Sequence, residues 1–318
     1  MSAPPPAPAR RFGFGLGLHR LWQKPRDFYR NSRRYGLVPL LASQIGASRM
    51  QAAAWHLPPA PQPPGDPYEV HFLTGSKFWY QSAFCALSLA RHSPVPIRPV
   101  LYDDGSLSTA DINAFRRVFP AARIHTRPEL EARLDQHLPI SRYPSLRAQR
   151  LPYPHLRKIT DVHAGQLGWK LVLDSDMLFL AEPRFLLDWL AAPTMPVQMK
   201  DVIPAYGYSA PLMEKVARGP LPVQNNVGVC GLDGTTLDWD WLEFACRTLV
   251  DTEGLQYFLE QALGVLLVTG GPYAVCPPED YIVCPTDQQV QARQGILHHY
   301  TADSKTTYFR YGWQDFSR

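Results

Sequence analysis

"LVLDSDMLFL", residues 171–180, sets two carboxylates, Asp174 and Asp176, inside a run that is otherwise apolar but for Ser175. A carboxylate taken out of water is costly unless something pairs with it. With two preceding residues the stretch reads as one buried strand, "WKLVLDSDMLFL". Residues i and i+2 of a strand point to the same side, so Asp174 and Asp176 can share one hard divalent cation, Mn²⁺ or Mg²⁺. Such an ion suits the neutralisation of a diphosphate leaving group. Taken alone, an acidic pair at a strand end fits a capping role equally well.

Upstream of this strand the pattern alternates. "YEVHFLTG" reads as a strand, "FWYQSAFCALSLARH" has the apolar spacing of a helix, and "IRPVLYDDG" is a second strand closed by a turn. "LSTADINAFRRVFP" is helical, "ARIHT" a short strand and "LRKITDVHAGQLG" helical again. Such βαβαβ alternation predicts an α/β fold, a mixed and mainly parallel sheet flanked by helices. Ligands of these sheets bind beyond the carboxyl ends of the strands. "HFLTG", "VLYDDG" and "LVLDSD" all place polar residues there.

Neither a G-x-G-x-x-G turn after the first strand nor a G-x-x-x-x-G-K-[ST] loop is present. That argues against a dinucleotide-dependent hydride transfer and against a P-loop nucleotidase. "PPAPQPPGDP" at 58–67 is too rich in proline to continue a helix or a central strand, and it marks a boundary. Residues 1–57 are expected as a basic N-terminal arm, partly helical or disordered, with a helical look in "LVPLLASQIGASRMQAAAW"; 58–67 form a linker and 68–318 the main domain.

The first 56 residues carry nine Lys and Arg against one acid, Asp27, so this segment is +8 and the rest of the chain −4. A solvated extension accounts for that charge. The mixed apolar and basic stretch "FGFGLGLHRLW" also suits a peripheral membrane contact, and no nucleic-acid motif accompanies it. No apolar run approaches the roughly 18 residues that span a bilayer, and the N-terminus does not read as a secretory signal. The five cysteines form no C-x-x-C pair, which fits reduced thiols and a cytoplasmic protein, peripheral at the inner membrane face if the arm binds lipid.

"GWKLVLDSDMLFLAEP" resembles the D-x-D strand of GT-A (Rossmann-like) glycosyltransferases, and most of all the glycogenin and lipopolysaccharide-galactosyltransferase type, family eight. "NNVGVCGL" (225–232) is similar to that family's F-N-x-G-V segment, with Asn226 at the asparagine. "LEQAL" is similar to its acid–Gln pair, Glu260 and Gln261, and "HYTADSK" to H-x-x-G-x-x-K, with His299 and Lys305. "PHLRKITDVHAGQLGWKLVLDSD" resembles the segment that brings a basic residue toward the phosphates, here Arg157 or Lys158. The likeness spans residues 68–312. Ala302 stands where the family has glycine, Asn225 where it has phenylalanine and Glu260 where it has aspartate, which marks a distant branch.

The resemblance implies metal-dependent transfer from a nucleoside-diphosphate sugar, a UDP-sugar, to a glycan, lipid or protein acceptor, with retention of configuration. It implies Asp174, Asp176 and His299 as metal ligands and Lys305, Arg157, Lys158 and Asp174 around the phosphates. Glu260, Gln261 and Asn226 would hold the donor hydroxyls and the reacting face.

The residues support some of this on their own. His299 as a neutral imidazole suits a metal site, though adjacent His298 leaves the register open. Asp103 and Asp104 end a strand where a carboxylate can accept from a ribose hydroxyl or a base N–H, or simply build an Asp-Gly turn. Thr74, Ser76 and Lys77 end the first strand and are within reach of a nucleotide. Asp201 is the candidate base if the reaction inverts. A nucleotidyltransferase and a non-catalytic sugar-nucleotide binder remain as rivals.

Overall fold

The computed structural model describes residues 37–317. Helix α1 (Leu37–Ala54) precedes strand β1 (Tyr68–Thr74), α2 (Trp79–Arg91), β2 (Ile97–Asp103), α3 (Thr109–Val118) and β3 (Arg123–His125). Then come α4 (Arg127–His137), α5 (Pro144–Gln149), α6 (Arg157–His163), β4 (Trp169–Leu173), β5 (Met177–Phe179) and α7 (Arg184–Ala191). They are followed by β6 (Val197–Lys200), α8 (Ala210–Val216), β7 (Asn225–Asp233), α9 (Trp239–Glu253) and α10 (Leu259–Leu266). β8 (Ala274–Val275), β9 (Tyr281–Val283), α11 (Asp287–Gln291) and β10 (Leu297–His299) lead into short helical turns at the C-terminus.

The larger sheet runs β3-β2-β1-β4-β7-β6-β8. β1, β2, β3 and β4 are mutually parallel, β7 is antiparallel to β4 and β6, and β8 is parallel to β6. This is the mixed, mainly parallel sheet that the alternating pattern predicts. A smaller sheet, β5-β10-β9, lies beside it. α2 is buried from Trp79 to Ala90 because it packs against β1 and β2 of one sheet and β5 of the other. A helix apolar all round belongs in such an interior position. α3 starts on a reciprocal cap: the Ser108 hydroxyl accepts from Asp111 N at 3.1 Å, and the Asp111 carboxylate accepts from Ser108 N at 2.9 Å.

Two expectations change in detail. "WKLVLDSDMLFL" is not one strand. β4 ends at Leu173, and the chain re-enters a different sheet as β5 at Met177. Asp174, Ser175 and Asp176 form the bridge between the sheets, which leaves the apolar residues in strands and the carboxylates outside them. The boundary expected at 58–67 does not free the preceding helix either. Met50, Ala54, Leu57 and Ala60 share the core of the main sheet, and Ala60 N donates to Val118 O at 2.8 Å. α1 also lies against the C-terminal turn at 308–312, so closely that a Cβ on Gly46 would meet Phe309 O at 1.8 Å. The basic residues before 37, with "FGFGLGLHRLW", lie outside the described residues. No helix among the described residues is long and apolar enough to cross a membrane.

Candidate active site

From β1 the chain builds outward to β2 and β3, then returns to place β4 on the other side of β1. The carboxyl ends of strands diverge at such a reversal and leave a crevice. A cleft of about 580 Å³ opens there. Asp174 and Asp176 lie at its floor because the bridge that carries them is pinned at both ends. Asp174 N donates to Gly228 O on β7 at 2.8 Å, and Tyr300 N donates to Asp176 O at 2.9 Å.

Four other ionisable groups converge on these acids. Lys158 Nζ, from α6, pairs with Asp174 Oδ1 and stands 3.6 Å from Glu260 Oε1. Lys305 Nζ is 3.0 Å from Asp176 Oδ2. His299 Nε2 is 3.4 Å from both Asp174 Oδ2 and Asp176 Oδ1. Burial alone pushes the Asp174 carboxyl up, but the charge of Lys158 and then the facing His299 outweigh it and hold Asp174 well below the usual range. Asp176 is held low in the same sense, with Lys305 the largest pull against burial. Burial raises the Glu260 carboxyl, only partly opposed by Lys158. The His299 imidazole loses basicity to burial and regains more from its two carboxylates, which carry it up to about 9.

The donor set fits a divalent cation. Ligand atoms of Asp174, Asp176 and His299 lie within 4.8 Å of one another. Both ring nitrogens of His299 are buried without a hydrogen-bond partner, an expense that coordination of Nε2 would remove. The ring fits only because β7 carries a glycine beside it: a Cβ on Gly228 would meet His299 Cε1 at 2.3 Å and Nδ1 at 2.7 Å. Two carboxylates with one imidazole suit Mn²⁺ somewhat better than Mg²⁺. His298 is excluded from this role, since its Nδ1 lies 3.2 Å from Tyr300 Oη and its Nε2 2.6 Å from Gln294 O.

Among solved structures the fold is similar to mouse xyloside xylosyltransferase 1 in its apo form, with a TM-score of 0.52, 10% sequence identity, and 75% of this chain and 99% of that one covered. It is similar to galactosyltransferase LgtC in complex with donor and acceptor sugar analogues, with a TM-score of 0.50, 16% identity, and 78% and 93% covered. The bifunctional glycosyltransferase WbbM, apo, aligns at 0.50 with 14% identity over 80% of this chain, which spans about half, 51%, of WbbM. The chain has the GT-A glycosyltransferase fold. No protein-family model and no curated protein matches the sequence.

Within this GT-A fold, most residues singled out from the sequence meet in the cleft. Thr74, Asp104, Lys158, Asn226, Glu260, Gln261 and Lys305 line it together with the Asp174–Asp176–His299 cluster. Asp103 and Arg157, expected around the donor, are not among the lining residues. Asp103 Oδ1 accepts from the backbone N–H of Gly105, Ser106 and Leu107 at 2.8, 3.1 and 3.0 Å, so it builds the turn. Arg157 Nη1 donates to Asp104 O at 2.7 Å and its Nε to Arg150 O at 3.3 Å. It buttresses the β2 turn while its neighbour Lys158 enters the site. Ala302 adopts φ 43°, the left-handed region that the family's glycine enters without strain.

Asp201, at the end of β6, joins the group. Its Oδ2 accepts from Asn226 Nδ2 at 2.9 Å and Gln261 Nε2 at 3.2 Å, and its Oδ1 from Val202 N at 2.8 Å. The lining that sequence reasoning missed is mostly apolar or aromatic: Phe78, Tyr153, Val202, Ile203, Tyr257 and Phe258. No motif carries these residues. They come from loops that only the fold brings together.

Proposed function

We propose that this protein is a metal-dependent glycosyltransferase that moves a sugar from a nucleoside-diphosphate sugar, by family likeness a UDP-sugar, to an acceptor hydroxyl. The observation that carries the reading is the buried Asp174–Asp176–His299 cluster, flanked by Lys158 and Lys305, at the strand reversal of a GT-A fold. Mn²⁺ or Mg²⁺ bound there supplies Lewis-acid neutralisation of the diphosphate. The ends of β1 and β2, with Thr74 and Asp104, take the nucleotide. Lys158 and Lys305 exchange their carboxylate partners for phosphate oxygens and hold them as point charges. That leaves the β6–β7 side, with Asp201, Asn226 and Gln261, for the donor sugar and the acceptor.

An inverting reaction needs a carboxylate free to take the acceptor proton. Asp201 has both oxygens engaged by amide N–H groups, and Glu260 faces Lys158. These engagements favour retention, with Glu260 and Gln261 shaping the site rather than acting as strong bases. The test is release of UDP from a panel of UDP-sugars with and without Mn²⁺. Asp174→Asn and Asp176→Asn are expected to lower it by about 10³-fold. Full turnover in either variant sinks the reading. Release of pyrophosphate instead of UDP would point to a nucleotidyltransferase.

A further inference from the structure

The cleft is not polar throughout. Its β6–β7 end is rimmed by Val202 and Ile203, 56% and 60% exposed, and by Tyr257, 70% exposed. Val223, 75% exposed, extends the strip on a segment hydrogen-bonded to the same loop: Asp201 N donates to Gln224 O at 2.9 Å. Scattered apolar residues on a surface need no explanation, but a contiguous patch beside a binding cleft does.

The strip is held in place by a frame. Tyr206 Oη donates to Pro222 O at 2.6 Å and accepts from Asn225 N at 3.0 Å. Tyr208 Oη donates to Gly254 O at 3.2 Å and accepts from Gln256 N at 3.3 Å, while Ser209 N donates to Glu253 Oε2 at 3.0 Å. The loop that carries Val202 and Ile203 and the loop that carries Tyr257 are thus tied to each other with their apolar side chains outward. Such a rim is preorganised, so a ligand there is spared part of the ordering cost of binding.

We infer that the acceptor is a glycoside with an aliphatic aglycone, a sugar hydroxyl entering beside Asp201 and a hydrocarbon chain leaving over Val202 and Ile203. This rests on the transferase reading and narrows its acceptor to a lipid-linked sugar. Branched aliphatic side chains offer a pyranose neither a hydrogen bond nor a flat ring face, so a purely polar glycan leaves this strip unused. No Lys, Arg or His is among the residues lining this end of the cleft, which disfavours an anionic acceptor. Hydrocarbon is what remains, and each buried methylene tightens binding about fourfold.

The inference is tested with octyl β-glucoside and methyl β-glucoside, each below any micelle concentration. Binding is followed by the methyl NMR signals of the full chain with Mg²⁺ and UDP present. The octyl compound is expected to bind at least ~10-fold more tightly and to shift the Val202 and Ile203 methyls. Val202→Ser combined with Ile203→Ser should bring it to the level of the methyl compound. Equal affinities, or an octyl advantage that survives the double substitution, overturn the inference. UDP release measured on the same preparation separates the two readings. Chain-length-dependent binding at Ile203 with no release from any donor sinks the transferase and leaves an apolar-ligand rim, whereas release without a chain-length effect sinks only the lipid acceptor.

Discussion

Two buried charge clusters lie within a few residues of each other along the chain, and they are finished differently. At Arg150, 1% exposed, every guanidinium nitrogen is engaged. Nε and Nη2 donate to Asp161 Oδ1 and Oδ2 at 2.9 and 2.6 Å, and Nη1 donates to Glu131 at 2.9 and 3.1 Å. Thr160 Oγ1 donates to Asp161 Oδ1 at 2.8 Å as well. This cluster joins α4 to α6 and holds the helix that presents Lys158. At Asp174 and Asp176 the cations are compact or loose instead. Lys305 and His299 stand at 3.0 and 3.4 Å, the imidazole has no aligned partner, and a cleft opens over the group. A structural ion pair is saturated by a planar fork that fits a carboxylate. A working site keeps point charges and an orphan imidazole that a ligand can re-pair.

The contrast can be broken most forcefully at Arg150. Arg150→Ala leaves Asp161 buried without its partner and is expected to cost about 3–5 kcal/mol, read by urea unfolding. Loss of metal dependence without loss of stability would show that the two clusters are one.

A second way uses protons. With its folded pKa raised from 6.5 to about 9, charged His299 adds stability to the metal-free protein that is complete below pH 6.5 and lost as pH rises through 9. A ligating imidazole must be neutral, so metal binding expels that proton. Apparent Mn²⁺ affinity should therefore rise about 10-fold per unit from pH 7 to 8.5, measured by electron paramagnetic resonance titration. A flat profile would contradict it.

The smallest effect sharpens the comparison at the imidazole itself. Gly228→Ala sets a methyl against His299 Cε1, and displacing a ligand in this way is expected to weaken Mn²⁺ binding 10- to 100-fold while stability falls less than in Arg150→Ala. Unchanged affinity would mean that the cradle does not position the ring.

The strand–helix alternation from Tyr68 to Leu173 was legible because apolar periodicity and turn residues are local properties. Each of the early strands and helices appears where that pattern puts it. Legible too were the members of the cleft that carry charge in an ordered motif, from Asp174 to Lys305. The break of the 169–180 run into two strands was not, since its apolar halves belong to different sheets and no local signal tells a kink from a continuation. Nor were the roles of adjacent residues. Asp103 and Asp104, or Arg157 and Lys158, are equivalent by type, and only the turn and the helix orientation send one to the scaffold and the other to the cleft.

Sequence alone determined the α/β class, the place of the acids after the fourth strand and the kinds of ligand atom on offer, because these depend on residue type and near neighbours. Tertiary structure alone decided that Lys158 and Glu260 join those acids, that Gly228 makes room for His299, and that Val202, Ile203 and Tyr257 share one rim. These residues are far apart along the chain. Their meeting depends on strand order and loop ties, and side-chain pairing across such separations leaves no periodic trace in the sequence.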